Sequence, residues 1–118
     1  MAAKDVLGRR GEDLAALYLQ HRGLVILSRN WRCREGELDL VATDAHRLVV
    51  CEVKTRTGVQ HGLPAEAVDR RKVARTRRAT QAWLSTHQVR WAAVRFDVLA
   101  VVLEPGRPPA VTHYLAAF

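Results

Sequence analysis

The chain has 118 residues, 48 % of them apolar, a net charge of +7 and a pI near 10.4. That length suits a single domain over residues 1–118 with a core of its own. No stretch reaches the ~18 apolar residues of a membrane helix, two cysteines cannot build a disulfide framework or a four-cysteine zinc site, and the five histidines never fall at ligand spacing.

The opening "MAAKDVLGRRGEDLAA" has no apolar segment of the signal type and carries Asp5, Glu12 and Asp13, so the cytoplasm is the expected location. Residues 10–22 read as a helix, with Leu14, Leu17 and Tyr18 at helical spacing and Gly23 as the stop; its start can reach back to Asp5 through Gly8 and Gly11. "LVILSRNWRCR", 24–34, is rich in β-formers and predicts a strand. Residues 37–42 and 48–54 predict two more, joined at "TDAH", where Asp44 is a typical turn residue. "TRTGVQHGLP", 55–64, predicts a loop bordering whatever site the strands build. A long helix over 65–87 follows, with an interrupted apolar stripe through Ala67, Ala74 and Ala82. Residues 89–103 predict a long strand with Val94, Phe96 and Val98 on one face and Arg95 and Asp97 on the other. "EPGRPP" breaks it, and "AVTHYLAAF" supplies the last strand. Cys33 and Cys51 read as free, buried thiols, with one Cys33–Cys51 bond left open. Trp31, Trp83 and Trp91 show no stacking pattern and read as core or rim.

The predicted order is α-β-β-β-α-β-β. Short turns make neighbouring strands antiparallel, and the strand after the long helix can return parallel to an earlier one. The fold class is α/β: a mixed sheet flanked by helices.

A charge of +7 favours anionic partners, nucleic acid first. Only Lys4, Lys54 and Lys72 of the 19 cationic side chains are lysines; the rest are arginines, the better bidentate phosphate ligands. "RRKVARTRR", 70–78, gathers six of these charges with only Asp69 to relieve their repulsion. Arg71, Arg75 and Arg78 fall on one side of that helix, where a phosphate backbone would relieve the charge. Lys72 can point to the sheet or outward. Arg56, just past the third strand's charged end, suits a phosphate clamp.

The second and third strand segments hold the chemistry. If "TDAH" folds back symmetrically about the Ala45–His46 bond, Asp39 sits directly opposite Glu52, their Cβ atoms roughly 5 Å apart. Facing carboxylates repel unless a cation lies between them. Oxygen-only ligands suit a hard ion, Mg²⁺ before Zn²⁺. Lys54, two residues beyond Glu52, shares its strand face. Such a set is a phosphodiester-hydrolysing site, with metal at the two acids and lysine at the phosphate or the attacking water. An isolated E-x-K is ordinarily a same-face ion pair; here the apolar flanks, the opposing Asp39 and the basic background argue for a site.

At "GRRGEDLAALYL", "GELDLVA", "CEVKTR", "EAVDRRKVARTRRATQAWL" and "RFDVLAV" the sequence resembles the PD-(D/E)xK nuclease superfamily, and more closely the YraN-type family of bacterial proteins related to Holliday-junction resolvases. The resemblance covers nearly the whole chain and implies a restriction-endonuclease-like fold. It implies that Asp39 and Glu52 bind Mg²⁺, with Mn²⁺ as substitute, helped by the main-chain carbonyl of Val53. It further implies that Lys54 serves catalysis and that Glu12 joins the site, although a Glu in a helix's first turns is favoured by the dipole alone. Leu38 stands where the motif has proline. The implied activity is a metal-dependent endonuclease on DNA, branched or otherwise structured, without a membrane partner; junction-cutting relatives act as homodimers. The rivals are a non-catalytic nucleic-acid-binding module that keeps the fold and a module whose basic helix binds an acidic protein.

Overall fold

The structure, a computed structural model, describes residues 3–57, 69–90 and 93–118. Its elements are α1 (Ala3–His21), β1 (Val25–Cys33), β2 (Gly36–Thr43), β3 (Arg47–Arg56), α2 (Arg70–Thr86), β4 (Ala93–Val102) and β5 (Ala110–Tyr114). The five strands form one sheet in the order β1-β2-β3-β4-β5. All neighbours are antiparallel except β3 and β4, which run parallel because α2 lies between them in the chain. This is the α/β, restriction-endonuclease-like architecture expected from the sequence.

Helix α1 starts early, carrying Gly8 and Gly11 inside it. It stops where Gly23 takes φ +87°, and the N–H groups of Gly23 and Leu24 reach back to the carbonyls of Gln20 and Leu19. Its buried residues Ala15, Ala16 and Leu19 cover Leu40, Ala42, Val49, Cys51, Leu99 and Val101 on one face of the sheet. Full burial of a leucine such as Leu19 is worth about 2 kcal/mol. Leu17 does not join this face: at 52 % exposure it looks into solvent, and Ala15 and Leu19 complete the stripe instead.

Helix α2 covers the other face, placing Ala79 and Trp83 on Val41, Leu48, Val50 and Phe96. Its buried stripe is Thr76, Ala79, Thr80 and Trp83; of the alanine stripe read from the sequence, Ala74 and Ala82 are only half-buried and Ala67 lies outside the described residues. A threonine can be buried there because Thr80 Oγ1 donates to the Thr76 carbonyl at 2.7 Å. The helix begins at Arg70 behind an Asp69 cap whose Oδ1 accepts the Lys72 N–H. The expected helical residues 65–68, most of the expected loop and Trp91 lie outside the described residues. Strand β4 opens at Ala93, later than expected, since the Val89 N–H is tied to the Leu84 carbonyl at the helix end.

Cys51 belongs to the α1-side core and Cys33 packs on the α2-side core, so the sheet separates the two thiols and both are free. Among the described residues no helix is long and apolar enough to cross a membrane.

Candidate functional site

The β2–β3 turn is built locally. Asp44 Oδ1 accepts the N–H groups of His46 and Arg47, Thr43 Oγ1 accepts that of Ala45, and Ala45 takes φ +78°. These bonds hold the Asp44 carboxyl down at about 2. The turn sets the pairs Thr43–Leu48, Ala42–Val49, Val41–Val50 and Leu40–Cys51. Asp39 and Glu52 are next in that register, one step past the last ladder pair. There the Asp39 side chain replaces the main chain as acceptor: its Oδ2 takes the Val53 N–H at 2.9 Å.

Asp39 is half-buried, and its carboxyl is pushed up to about 7. Burial is the largest cause and the Glu52 carboxylate the next; the Val53 N–H opposes them, while Glu12 and Glu37 push further up. Four acids from α1, β2 and β3 thus converge electrostatically on one point. Three clefts meet around it. The first, under α2, is lined by Gly36, Glu37, Asp39, Glu52, Lys72, Arg75 and Thr76. The second, beside α1, includes Glu12, Asp39, Val53 and Lys54. The third includes Arg9, Glu12, Asn30, Arg32 and Glu37. Asp39 borders the first two, and Glu12 and Glu37 join each of these to the third.

The predicted metal residues Asp39, Glu52 and Val53 are therefore together, with Glu12 nearby. The donor set is all oxygen, and the crowded, proton-retaining Asp39 is the kind of acid a hard cation would ionise. As the side chains stand, no group of three His, Cys, Asp or Glu among the described residues is close enough to hold a metal. Each acid around Asp39 has a protein partner instead. Glu52 Oε1 pairs with Lys72 Nζ at 2.5 Å, Glu37 with Arg32 at 2.7 Å, and Glu12 with Arg29 at 3.6 Å and with the Asn30 amide.

Lys72 faces the sheet, which the sequence left open. It also supplies the ammonium in contact with Glu52, whereas Lys54 makes no ion pair with any described residue and borders the α1-side cleft. Arg56 ends β3 half-buried, its carbonyl accepting the Leu103 N–H, and lines none of the three clefts. Arg71, Arg75 and Arg78 are exposed along α2, and Arg75 reaches the Asp39 cleft.

A family model described as "Uncharacterised protein family UPF0102" matches residues 11–101, a span holding Glu12, Asp39, Glu52, Lys54 and Lys72. The chain belongs to the UPF0102 family. A UPF0102 protein of Frankia casuarinae is 55 % identical over 118 residues, spanning all of both chains. Another, of Mycobacterium bovis, is 54 % identical over 112 residues, covering 91 % of this chain and 88 % of its own. A third, of Acidothermus cellulolyticus, is 48 % identical over 127 residues, covering 99 % and 96 %. UPF0102 is the YraN-type family whose motifs the sequence carries.

Two features of this UPF0102 site escape sequence reasoning. Asn30 takes φ +50° inside β1, a conformation asparagine tolerates better than most residues, and its amide donates to Glu12 Oε1. Nothing in "LSRNWRC" signals this, because it depends on how α1 lies over an edge strand. Glu37 had a signal, standing two residues from Asp39 and so on its side of the strand.

Proposed function

We propose that this UPF0102 protein is a metal-dependent endonuclease hydrolysing DNA phosphodiester bonds. The observation that carries the reading is the crowding of Glu52, Glu12 and Glu37 on a half-buried Asp39 at the end of the β2–β3 ladder. Glu52, Glu37 and Glu12 have cationic partners, but Asp39 forms no ion pair with a described residue, and a bound cation would relieve the repulsion on it. The family resemblance and the basic surface supply the substrate class.

Asp39, Glu52 and the Val53 carbonyl would hold Mg²⁺, with Glu12 steadying that arrangement from α1. When bound, Mg²⁺ supplies positive charge against the phosphate and the leaving oxygen. The chain's own groups do the rest. Lys54 donates from Nζ to the attacking water and fixes its line of approach to phosphorus. Arg71, Arg75 and Arg78 hold flanking phosphates and fix the strand's register, as backbone contacts do in general. Arg56 clamps a phosphate beyond the end of β3.

The absence of a ready three-acid cluster among the described residues favours one rival, a non-catalytic nucleic-acid-binding module. Cleavage separates the two. Purified protein is incubated with labelled linear, nicked and branched DNA in Mg²⁺ or Mn²⁺, beside Asp39→Asn and Lys54→Met. The expected outcome is cleavage by the wild type and a loss of at least ~100-fold in both variants. Salt-sensitive binding with no cleavage by any form establishes the module. Equal cleavage by all three forms removes the assignment of these residues.

A further inference from the structure

We infer that Lys72 is a built-in counter-ion that occupies the cation position beside Glu52 until nucleic acid draws it away, so that metal binding and nucleic-acid binding at this site are coupled. The inference rests on the metal-nuclease reading and adds a mode of regulation to it.

The contact itself is the first ground. Lys72 Nζ lies 2.5 Å from Glu52 Oε1, the two side chains 31 % and 17 % exposed, and both line the cleft that holds Asp39. A Mg²⁺ or Mn²⁺ ion held by Glu52 would bind the carboxylate that already carries the ammonium. Two positive centres on one carboxylate, within a few ångströms of each other in a partly buried cleft, repel strongly. Metal entry at Glu52 is therefore opposed for as long as the ammonium stays.

The helix supplies the means of leaving. Lys72 is the third residue of α2, and its N–H is fixed by Asp69 Oδ1 at 2.9 Å. The main chain is held while a flexible four-carbon side chain carries the charge, so the ammonium can swing without moving the helix. Its alternative partner is also defined. The first turn of α2 holds Arg70, Arg71 and Lys72 and no acid, a placement the helix dipole disfavours. A phosphate held by Arg71 and Arg75 would offer Lys72 a new anion and free Glu52. Linkage then makes the effect reciprocal: nucleic acid tightens metal binding, and metal tightens nucleic-acid binding. In the absence of DNA the ammonium competes with metal for the site.

Mn²⁺ binding tests this without reference to cleavage. Free Mn²⁺ is followed by its electron paramagnetic resonance signal during titration of wild type, Lys72→Met and Lys72→Arg, with and without a phosphorothioate duplex whose own Mn²⁺ uptake is subtracted. The expected result is about fivefold tighter Mn²⁺ binding by Lys72→Met in the absence of DNA, the weight of a partly exposed ion pair. The duplex should tighten Mn²⁺ binding by wild type and Lys72→Arg and have no such effect on Lys72→Met. Lys72→Gln should repeat the Lys72→Met result, which guards against a folding defect in one variant. Wild-type affinity and wild-type DNA enhancement in both neutral variants overturn the inference while leaving the metal site intact. No Mn²⁺ uptake by any form overturns the metal reading and this inference with it.

Discussion

At Asp39 the physics of a metal-free site is open to measurement. The carboxyl is raised to about 7 from an ordinary 3.8, by burial first and by Glu52, Glu12 and Glu37 after it. A raised acid favours the protonated native state. That stabilisation is fully present below about pH 4 and is lost as pH rises through about 7. Asp39→Asn keeps an acceptor for the Val53 N–H and has nothing to ionise. In metal-free buffer the variant and wild type should match near pH 3.5, and the variant should be the more stable at pH 8, by on the order of 2 kcal/mol once solvent screening is allowed for. Urea unfolding in chelator at both pH values checks this; an equal difference at the two would show that Asp39 is not crowded. Asp97 marks where residue-level reading stops. Its shared strand face with Arg95 is legible from alternation, but its depth is not. Asp97 is fully buried. Burial pushes its carboxyl up, but two bonds from Arg95, the Ala116 N–H and His113 together hold it below the usual range. Those last two partners arrive from 16 and 19 residues downstream, beyond any local pattern.

At the scale of elements, the site depends on how closely α1 lies on β3. Gly11 is buried, and a Cβ there would meet Thr55 Oγ1 at 1.9 Å and Thr55 Cγ2 at 2.7 Å. The missing side chain lets the helix settle onto the strand and brings Glu12 to the Asp39 cleft. Gly11→Ala should gain about 1 kcal/mol of helix propensity and lose more to overpacking, about 1–3 kcal/mol. Denaturant melts should show a net loss; a net gain would mean that Thr55 yields freely and the close approach is not needed. The sequence shows the glycine but not the contact, since helix–strand distance is a tertiary property. The β2–β3 pairing and the register around Asp39 were legible for the opposite reason. Asp44 and Thr43 build their turn within a few residues, and that turn alone decides which side chains face each other. Lys72 lies between these cases. Its position on α2 follows from the charge run, but its turn toward Glu52 follows from where the helix docks. The start of β4 was misread because Val89 looks like a strand residue and is used to close the end of α2.

For the whole molecule, the charge of +7 is distributed in a way that makes a quantitative claim about DNA. Arg71, Arg75 and Arg78 are exposed on α2, and Arg75 leads into the acid-lined cleft. Arg77, in the same run, is differently employed: its guanidinium lies 4.8 Å from the centre of the Phe96 ring, holding α2 to β4. If the three exposed arginines each neutralise a phosphate, each contributes about 0.9 to the slope of log affinity against log salt. Replacing all three by glutamine should flatten the slope by about 2–3 and weaken binding at 50 mM salt far more than at 200 mM. Arg77→Gln, which removes the same charge as any one of those three replacements, should leave the slope nearly unaltered and cost stability instead. Fluorescence anisotropy with a labelled duplex across that salt range decides it. A triple variant with the wild-type slope, or an Arg77 variant that loses as much as one of the others, would overturn the proposal that Arg71, Arg75 and Arg78 hold phosphates.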